Sequence, residues 1–597
     1  MKNVELMPRK NTQRSQNREP KDRTDAGFIP ESFINYYKKQ LIPNSLTDSE
    51  FDHFIELYKT TLPHVFRISP FTDNFERLRE ELNEHIKTLK ELNYDAKIFD
   101  YFEPKNGIVC MISISKPELK KKPELDNFRK WLLAHTDCGD ITRQEFVSML
   151  PPFFLDVQPD DDVLDTCAAP GSKTTQILEC LKDGSITAND SEIKRCNTLI
   201  HQLHRLDSSK TLIINHPAQF LPNINLFDKV LCDVPCSGDG TFRKNPDASE
   251  KWNLRNGLGL HSIQRSILIR GLELLKIGGT CVYSTCSLNP IEDEAVINSV
   301  INELNGAVEI VDCSNKYPKL IRSNGIKDWS VYLDENKIES LDKVPEEYSR
   351  RIKETMFPKN VVPGIEHCLR FYPHQNNTGG FFICVLRKLK DFNTSIQQTQ
   401  SKPKPWKERP FIPLLELASG KELIEKIKED YGLKEDFDPS HLYTRSDPIK
   451  NIFYLSDPII KIVKNNKPSE LRAVTCGTRL FTIKTFSTPS VTTFPCFESI
   501  NLLYKFATKR IINVTIKDFY NILKSNIDGY PFSEFETDSK QDISSLNNGG
   551  VIIHVQNTNL NYSAMKAQNK IVLQVNKERI QQELIKLHQT YPDLIEI

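Results

Sequence analysis

No stretch of the 597-residue chain approaches the roughly 18 uninterrupted apolar residues that a membrane-crossing helix requires. The amino-terminal residues are polar and basic and lack the apolar core of a secretory leader. Net charge is missing as well. Lys and Arg number 79 and Asp and Glu number 79, so no global field draws the chain to a polyanion. The 14 cysteines include no C-x-x-C pair, which leaves zinc fingers and thioredoxin-like redox motifs unsupported. No metal-ligating cluster is visible. Without a leader or paired spacing, the cysteines read as reduced thiols, mostly small buried hydrophobes.

What the chain does have is length and order. With 38% hydrophobic and 26% charged residues it has the composition of a folded soluble protein, and about four domains are allowed at roughly 150 residues each. Residues 1–26 read as a disordered basic arm, since residues 1–24 hold seven Lys and Arg against three acids. Residues 27–150 form a mixed segment with an amphipathic helix near Glu76–Leu92 and a lysine cluster at Lys120, Lys121 and Lys122. From about 160 the pattern alternates strand and helix. Strands are predicted at 163–167, 185–190, 211–215, 229–234 and 279–286. Helices are predicted at Lys173–Leu181 and Ile193–Leu206, over a long segment through Leu260 to Leu274 ending at Gly278-Gly279, and at Ile291–Leu304. Such alternation implies an α/β fold with a parallel sheet, helices on both faces and ligands beyond the carboxyl strand ends. LRFYP (369–373) and GFFICVL (380–386) read as a closing antiparallel hairpin, so this unit is taken as 151–390. A Pro- and Lys-rich linker (391–410) separates it from an α+β segment at 411–597. No internal repeat stands out.

The chemistry lies at the strand ends. The first strand runs into Asp165, Thr166, Cys167, Ala168, Ala169, Pro170, Gly171, Ser172 and Lys173. Small residues in such a turn let a ligand approach the backbone amides at a helix N-terminus. The G-S-K-T text lacks the glycine spacing of a phosphate-binding loop, and that reading is rejected. Asp190 ends the second strand, where an acid suits a ribose hydroxyl pair. Together these features point to an adenosine-type cofactor. Asp233, Val234, Pro235 and Cys236 follow the fourth strand, and Ser284, Thr285 and Cys286 follow the fifth. Two thiols at one rim, beside an acid and a cofactor turn, are suited to nucleophilic catalysis.

These motifs resemble the Nop/Sun family of RNA 5-methylcytosine methyltransferases, and most closely its eukaryotic multisite tRNA branch. The resemblance rests on RQEFVSMLPP (143–152), DVPCSGDGTFRKN (233–245), YSTCSLNPIEDEAV (283–296) and LRFYPHQNNTGGFF (369–382). It extends to INYYKKQLIP (34–43), LPHVFRIS (62–69), LYTRS (442–446) and VTCGTRLF (474–481), the last two resembling a PUA-like carboxyl-terminal module. It implies a Rossmann-like S-adenosylmethionine-dependent methyltransferase domain, an N-terminal RNA-binding segment and tRNA as partner, with no membrane and no obligate protein partner evident. By resemblance Cys286 is the covalent nucleophile that adds to C6 of cytosine, and Cys236 assists release of the methylated RNA. Asp233, supported by Lys173, hydrogen-bonds the base at its N3 edge. Cofactor binding falls to residues 167–173, Asp190 and Asp233. DNA cytosine methyltransferases use the Pro-Cys thiol and lack the second, so both cysteines together mark an RNA enzyme. Arg243, Lys244 and Arg370 are candidate RNA-contacting cations or, equally, structural ion-pair partners, and Lys121 of the lysine cluster is a further candidate contact. The basic arm and the resemblance suggest residence in the nucleus, with the nucleolus or cytoplasm as alternatives.

One departure stands out. After the third strand the family has Asn-His-Asp-Ala, its Asp contacting the adenine amine, whereas this chain reads Asn215, His216, Pro217, Ala218. Proline offers neither carboxylate nor N–H, so weaker cofactor binding is expected. A fully impaired cofactor site would leave an RNA-binding or tRNA-chaperone protein, and methylation of rRNA or mRNA is a further alternative. The balanced net charge does not oppose an RNA partner, because affinity follows the local arrangement of charge rather than its sum.

Overall fold

A computed structural model describes residues 27–591 except 43, 73–74, 104, 204–205, 207, 394–405, 485–491, 526–527 and 537–539. The expected basic arm and most of the expected linker lie outside the described residues. At the centre is a mixed sheet whose eight main strands are β1 (Asp162–Asp165), β2 (Ser185–Asn189), β3 (Thr211–Ile214), β4 (Phe227–Asp233), β5 (Leu275–Thr285), β6 (Leu369–Phe371), β7 (Phe381–Lys388) and β8 (Ala473–Cys476). Their spatial order is β6-β7-β5-β4-β1-β2-β3-β8. Strands β1 to β5 run parallel, and β6, β7 and β8 join antiparallel. The order reverses between β1 and β4, which makes their carboxyl ends the crevice of the sheet.

Alternation along each strand explains why the sheet is covered on both faces. Leu164, Leu212, Val230, Cys232, Cys281 and Tyr283 pack into one core. Their neighbours Val163, Ile213, Leu231 and Val282 pack into the other, as period-two side chains must. Helices Ser172–Cys180, Ile193–Leu203, Leu254–Glu273 and Glu294–Leu304 follow β1, β2, β4 and β5. The long helix stops at Glu273 rather than at the predicted Gly278-Gly279. Both glycines belong to β5, whose irregular first half carries Gly278 at φ +82. The expected hairpin forms, but its connection begins with a short helix at Pro373–Asn376.

The N-terminal unit begins with helices Glu31–Leu41 and Asp48–Tyr58. A four-stranded sheet centred on His64–Ile68 and Ile108–Ile112 follows. Helix Phe75–Glu91 covers that sheet through Leu78, Leu82, Ile86 and Leu89, the buried stripe of the predicted amphipathic helix. The buried helix Phe146–Leu155 then leads into β1.

The carboxyl-terminal segment reaches back twice. Its strand β8 pairs with the β3 edge, Ala473 opposite Ile214 and Cys476 opposite Leu212. Its last helix, Lys577–Thr590, packs on helix Asp126–Cys138, where Lys586 meets Asp140 at 3.0 Å. Among the described residues no helix is long and apolar enough to cross a membrane.

Candidate active site

The turn after β1 is tied to the ends of β2 and β3. Ala168 N–H donates to Asn189 O (2.8 Å), and the Asn189 amide donates to Thr166 O and His216 O, both at 2.9 Å. Arg195 holds Ala169 O at 2.6 Å. Gly171 begins the helix at φ +115, and a Cβ there would lie 2.8 Å from Leu199 Cδ1, so only glycine fits. Asp190 stands where the sequence placed it, 2% exposed at the end of β2, its carboxylate capping Glu192 N–H at 3.0 Å. Asp165 accepts from Thr174 Oγ1 (2.8 Å), but its Oδ1 is buried without a partner in hydrogen-bonding geometry. Burial, followed by the nearby Asp233 charge, pushes this carboxyl up to about 7. An orphaned acceptor beside a helix N-terminus fits a ligand bearing polar or positive groups, so the residues present suit an adenosine-type cofactor.

Pro217 is exposed at the rim of this cradle, ahead of the short turn Ala218–Phe220. Its neighbour His216 is buried, and burial pushes its imidazole down to about 4. The neutral ring donates through Nε2 to Leu471 O at 3.2 Å. The segment entering β8 therefore props the rim of this cradle.

At the ends of β4 and β5 the two predicted thiols meet, Cys236 Sγ lying 3.2 Å from Cys286 Sγ. Both are partly exposed. The hydrogen bond that Cys236 gives to Cys286, then burial, holds the Cys236 thiol well above the usual value, so Cys236 keeps a proton that it can share with its neighbour. Beside them Asp233 accepts from Lys173 Nζ (2.8 Å) and Ser284 Oγ (2.7 Å). Lys173 also donates to Ser148 Oγ (3.1 Å) and lies 5.4 Å from the centre of the Phe381 ring. Burial opposes its charge, yet the Asp233 carboxylate outweighs it and raises the lysine. Backbone crossings fix the thiol loops. Gly240 N–H donates to Cys286 O (2.9 Å), and Gly380 N–H donates to Gly240 O (2.7 Å). A Cβ on Gly240 would come within 2.3 Å of Gly380 O.

Two of the four candidate RNA contacts are corrected. Arg370 is 0% exposed and paired with Glu294 and Asp293. Arg243 is 6% exposed and donates inward to Thr60, Thr61, Asn377 and Thr378. Neither guanidinium faces solvent, so each ties internal loops together. Lys244 is exposed next to this site, and Lys121 is exposed at the end of helix Lys116–Lys121 in the N-terminal unit. Ser148, Ser284 and Phe381 were missed although each lies in a quoted motif, because only the folded chain shows that they converge on Lys173 and Asp233.

Residues 152–387 match the family model described as 16S rRNA methyltransferase RsmB/F, and residues 413–508 match the NSUN2 pre-PUA domain. A tRNA (cytosine(34)-C(5))-methyltransferase of Drosophila melanogaster is 36% identical over 75% of this chain and 70% of its own length. The chain belongs to the RsmB/F family, the Sun-domain methyltransferases. Another member, the multisite-specific tRNA:(cytosine-C(5))-methyltransferase of Saccharomyces cerevisiae, is 33% identical over 76% of this chain and 72% of its own length. Among solved structures, NSun6 from Pyrococcus horikoshii with SFG is 20% identical, covers 61% of this chain and 99% of its own, and has a TM-score of 0.40. The pre-PUA match takes in β8, the strand that closes the β3 edge.

Proposed function

We propose that this protein methylates C5 of cytosine in tRNA through a covalent adduct between Cys286 and C6 of the base. The observation that carries the reading is the pair of sulfurs 3.2 Å apart beside the Lys173–Asp233 ion pair at the crevice of the sheet. Residues 167–173, Asp165 and Asp190 would hold S-adenosylmethionine, which when bound supplies an electrophilic methyl group. The chain's own residues prepare the base to accept it. C5 of cytosine is a weak nucleophile, and addition of the Cys286 sulfur to C6 makes it enamine-like. As the sulfur adds, the thiol proton passes to N3 of the base, and Asp233, its carboxylate fixed by Lys173 at 2.8 Å, accepts the hydrogen bond from that N3–H. Loss of the C5 proton to water and cleavage of the S–C6 bond, with the N3 proton returning to the Cys286 sulfur, restore the ring, and Cys236, protonated beside Cys286, assists this release. The target base leaves its stack to reach the rim. The names of the relatives support tRNA as substrate. Incubating unmodified tRNA with labelled cofactor tests the assignment. Cys286→Ala is expected to give no product, and Cys236→Ala is expected to trap a gel-stable protein–RNA adduct. Full activity of Cys286→Ala refutes the nucleophile.

A further inference from the structure

Glu292 lies in the turn between β5 and helix Glu294–Leu304 and is fully buried. Its Oε1 accepts from Ser237 Oγ (2.5 Å) and Ser287 Oγ (3.0 Å). Its Oε2 accepts from Ser237 N–H (2.8 Å) and Gln264 Nε2 (2.9 Å). All the carboxylate lone pairs are thus matched by four donors, three of them on the loops that carry the thiols. Ser237 directly follows Cys236, and Ser287 directly follows Cys286. The two hydroxyl oxygens are 3.2 Å apart, as are the two sulfurs.

The surroundings are shaped to admit this side chain. Helix Leu254–Glu273 has glycine at 257, where a Cβ would lie 2.9 Å from Glu292 Oε1. Gln264 spends its second N–H on Pro235 O (3.0 Å), tying the residue before Cys236 to the same network. Tyr283 donates to the Glu292 carbonyl at 2.6 Å, fixing the backbone. A buried carboxylate is expensive unless fully hydrogen-bonded, and this one has its full set of donors. Burial and the neighbouring Asp239 push it up to about 7.

We infer that Glu292 is the positioning residue that sets the separation of Cys286 and Cys236, clamping the two loops through Ser287 and Ser237. The inference rests on the roles proposed above for the two thiols. Displacing a reacting group by about 1 Å can cost about a hundredfold in rate, so a clamp on both loops governs both adduct formation and release.

The test uses the full-length chain, unmodified tRNA and denaturing gels that separate adduct from product. Glu292→Gln is expected to lower kcat about a hundredfold with the KM for tRNA unchanged. The serines divide the effect between steps. Ser287→Ala, in the Cys236→Ala background where adduct accumulates, slows adduct formation. Ser237→Ala, in an otherwise unaltered chain, slows release and makes adduct accumulate. Where Glu292→Gln fails to fold, the serine variants decide. Normal turnover in Glu292→Gln, or serine variants that leave the adduct-to-product ratio untouched, overturns the clamp while leaving the proposed function standing. An unaltered chain that yields neither product nor adduct overturns both.

Discussion

Replacing Arg370 by leucine separates a structural arginine from an RNA contact in one experiment. The guanidinium is fully buried, with Nε donating to Glu294 Oε1 (2.7 Å) and an Nη group to Leu288 O (2.9 Å), and it also contacts Asp293 at 3.5 Å. Leucine fills part of the volume but leaves the Glu294 carboxylate, itself 0% exposed, without its cation. Breaking a buried pair in this way costs about 3–5 kcal/mol. In a unit of this size each kcal/mol lowers the melting temperature by about 2–4 °C, so the expected fall is roughly 6 to 20 °C. The assay pairs thermal unfolding with tRNA binding measured across a salt series. An internal arginine leaves the slope of log affinity against log salt unchanged, whereas a lost phosphate contact reduces it by about one. Arg370→Leu combined with Glu294→Leu should recover part of the stability, because the orphaned charge goes with it. A melting temperature unmoved by Arg370→Leu, with a reduced salt slope, would refute the correction.

Pro217→Asp returns a carboxylate to the cofactor rim and is expected to tighten S-adenosylmethionine binding by about fivefold, the worth of one hydrogen bond near 1 kcal/mol; calorimetry reads this directly, and weaker binding speaks against the assignment of that rim. The raised Asp165 carboxyl (about 7) favours the folded cofactor-free chain fully below its unfolded value near 4. That contribution is lost as pH rises through 7. Asp165→Asn should therefore flatten this part of the stability–pH curve between about 4 and 7, measured by denaturant unfolding; identical curves for both proteins contradict it. Tyr37 donates its hydroxyl to Asp239 in the Cys236 loop. Tyr37→Phe should therefore cost about 1–3 kcal/mol and lower turnover, read by melting and methyl-transfer assays, and unchanged values for both would detach the N-terminal unit from the catalytic loops.

The parallel sheet and the meeting of Cys236 with Cys286 were legible because both follow from local text, namely alternating apolar strands and the loops at their carboxyl ends. Burial of Arg243 and Arg370 was not legible. A sequence shows that a residue is charged but not what faces it, and the partners of Arg243 lie 134 to 183 residues away. The clamp at Glu292 escaped for the same reason, as Ser237 is 55 residues distant. The long helix was extended too far because the glycines at 278 and 279 read as a helix stop, whereas they sit in the irregular start of β5.

The pairing of Ala473 in β8 with Ile214 in β3 also bears on how the protein is made. Synthesis at about 5–20 residues per second places the last strand of the sheet roughly 13 to 50 seconds behind the strand it covers. During that interval the central α/β unit on the ribosome has an unpaired β3 edge, a template for pairing with the wrong chain. Translation stalls or truncations between 215 and 472 would therefore release a domain with its strands assembled and its sticky flank uncovered. Such fragments should be held by chaperones or accumulate as aggregates rather than persist as free shortened enzymes.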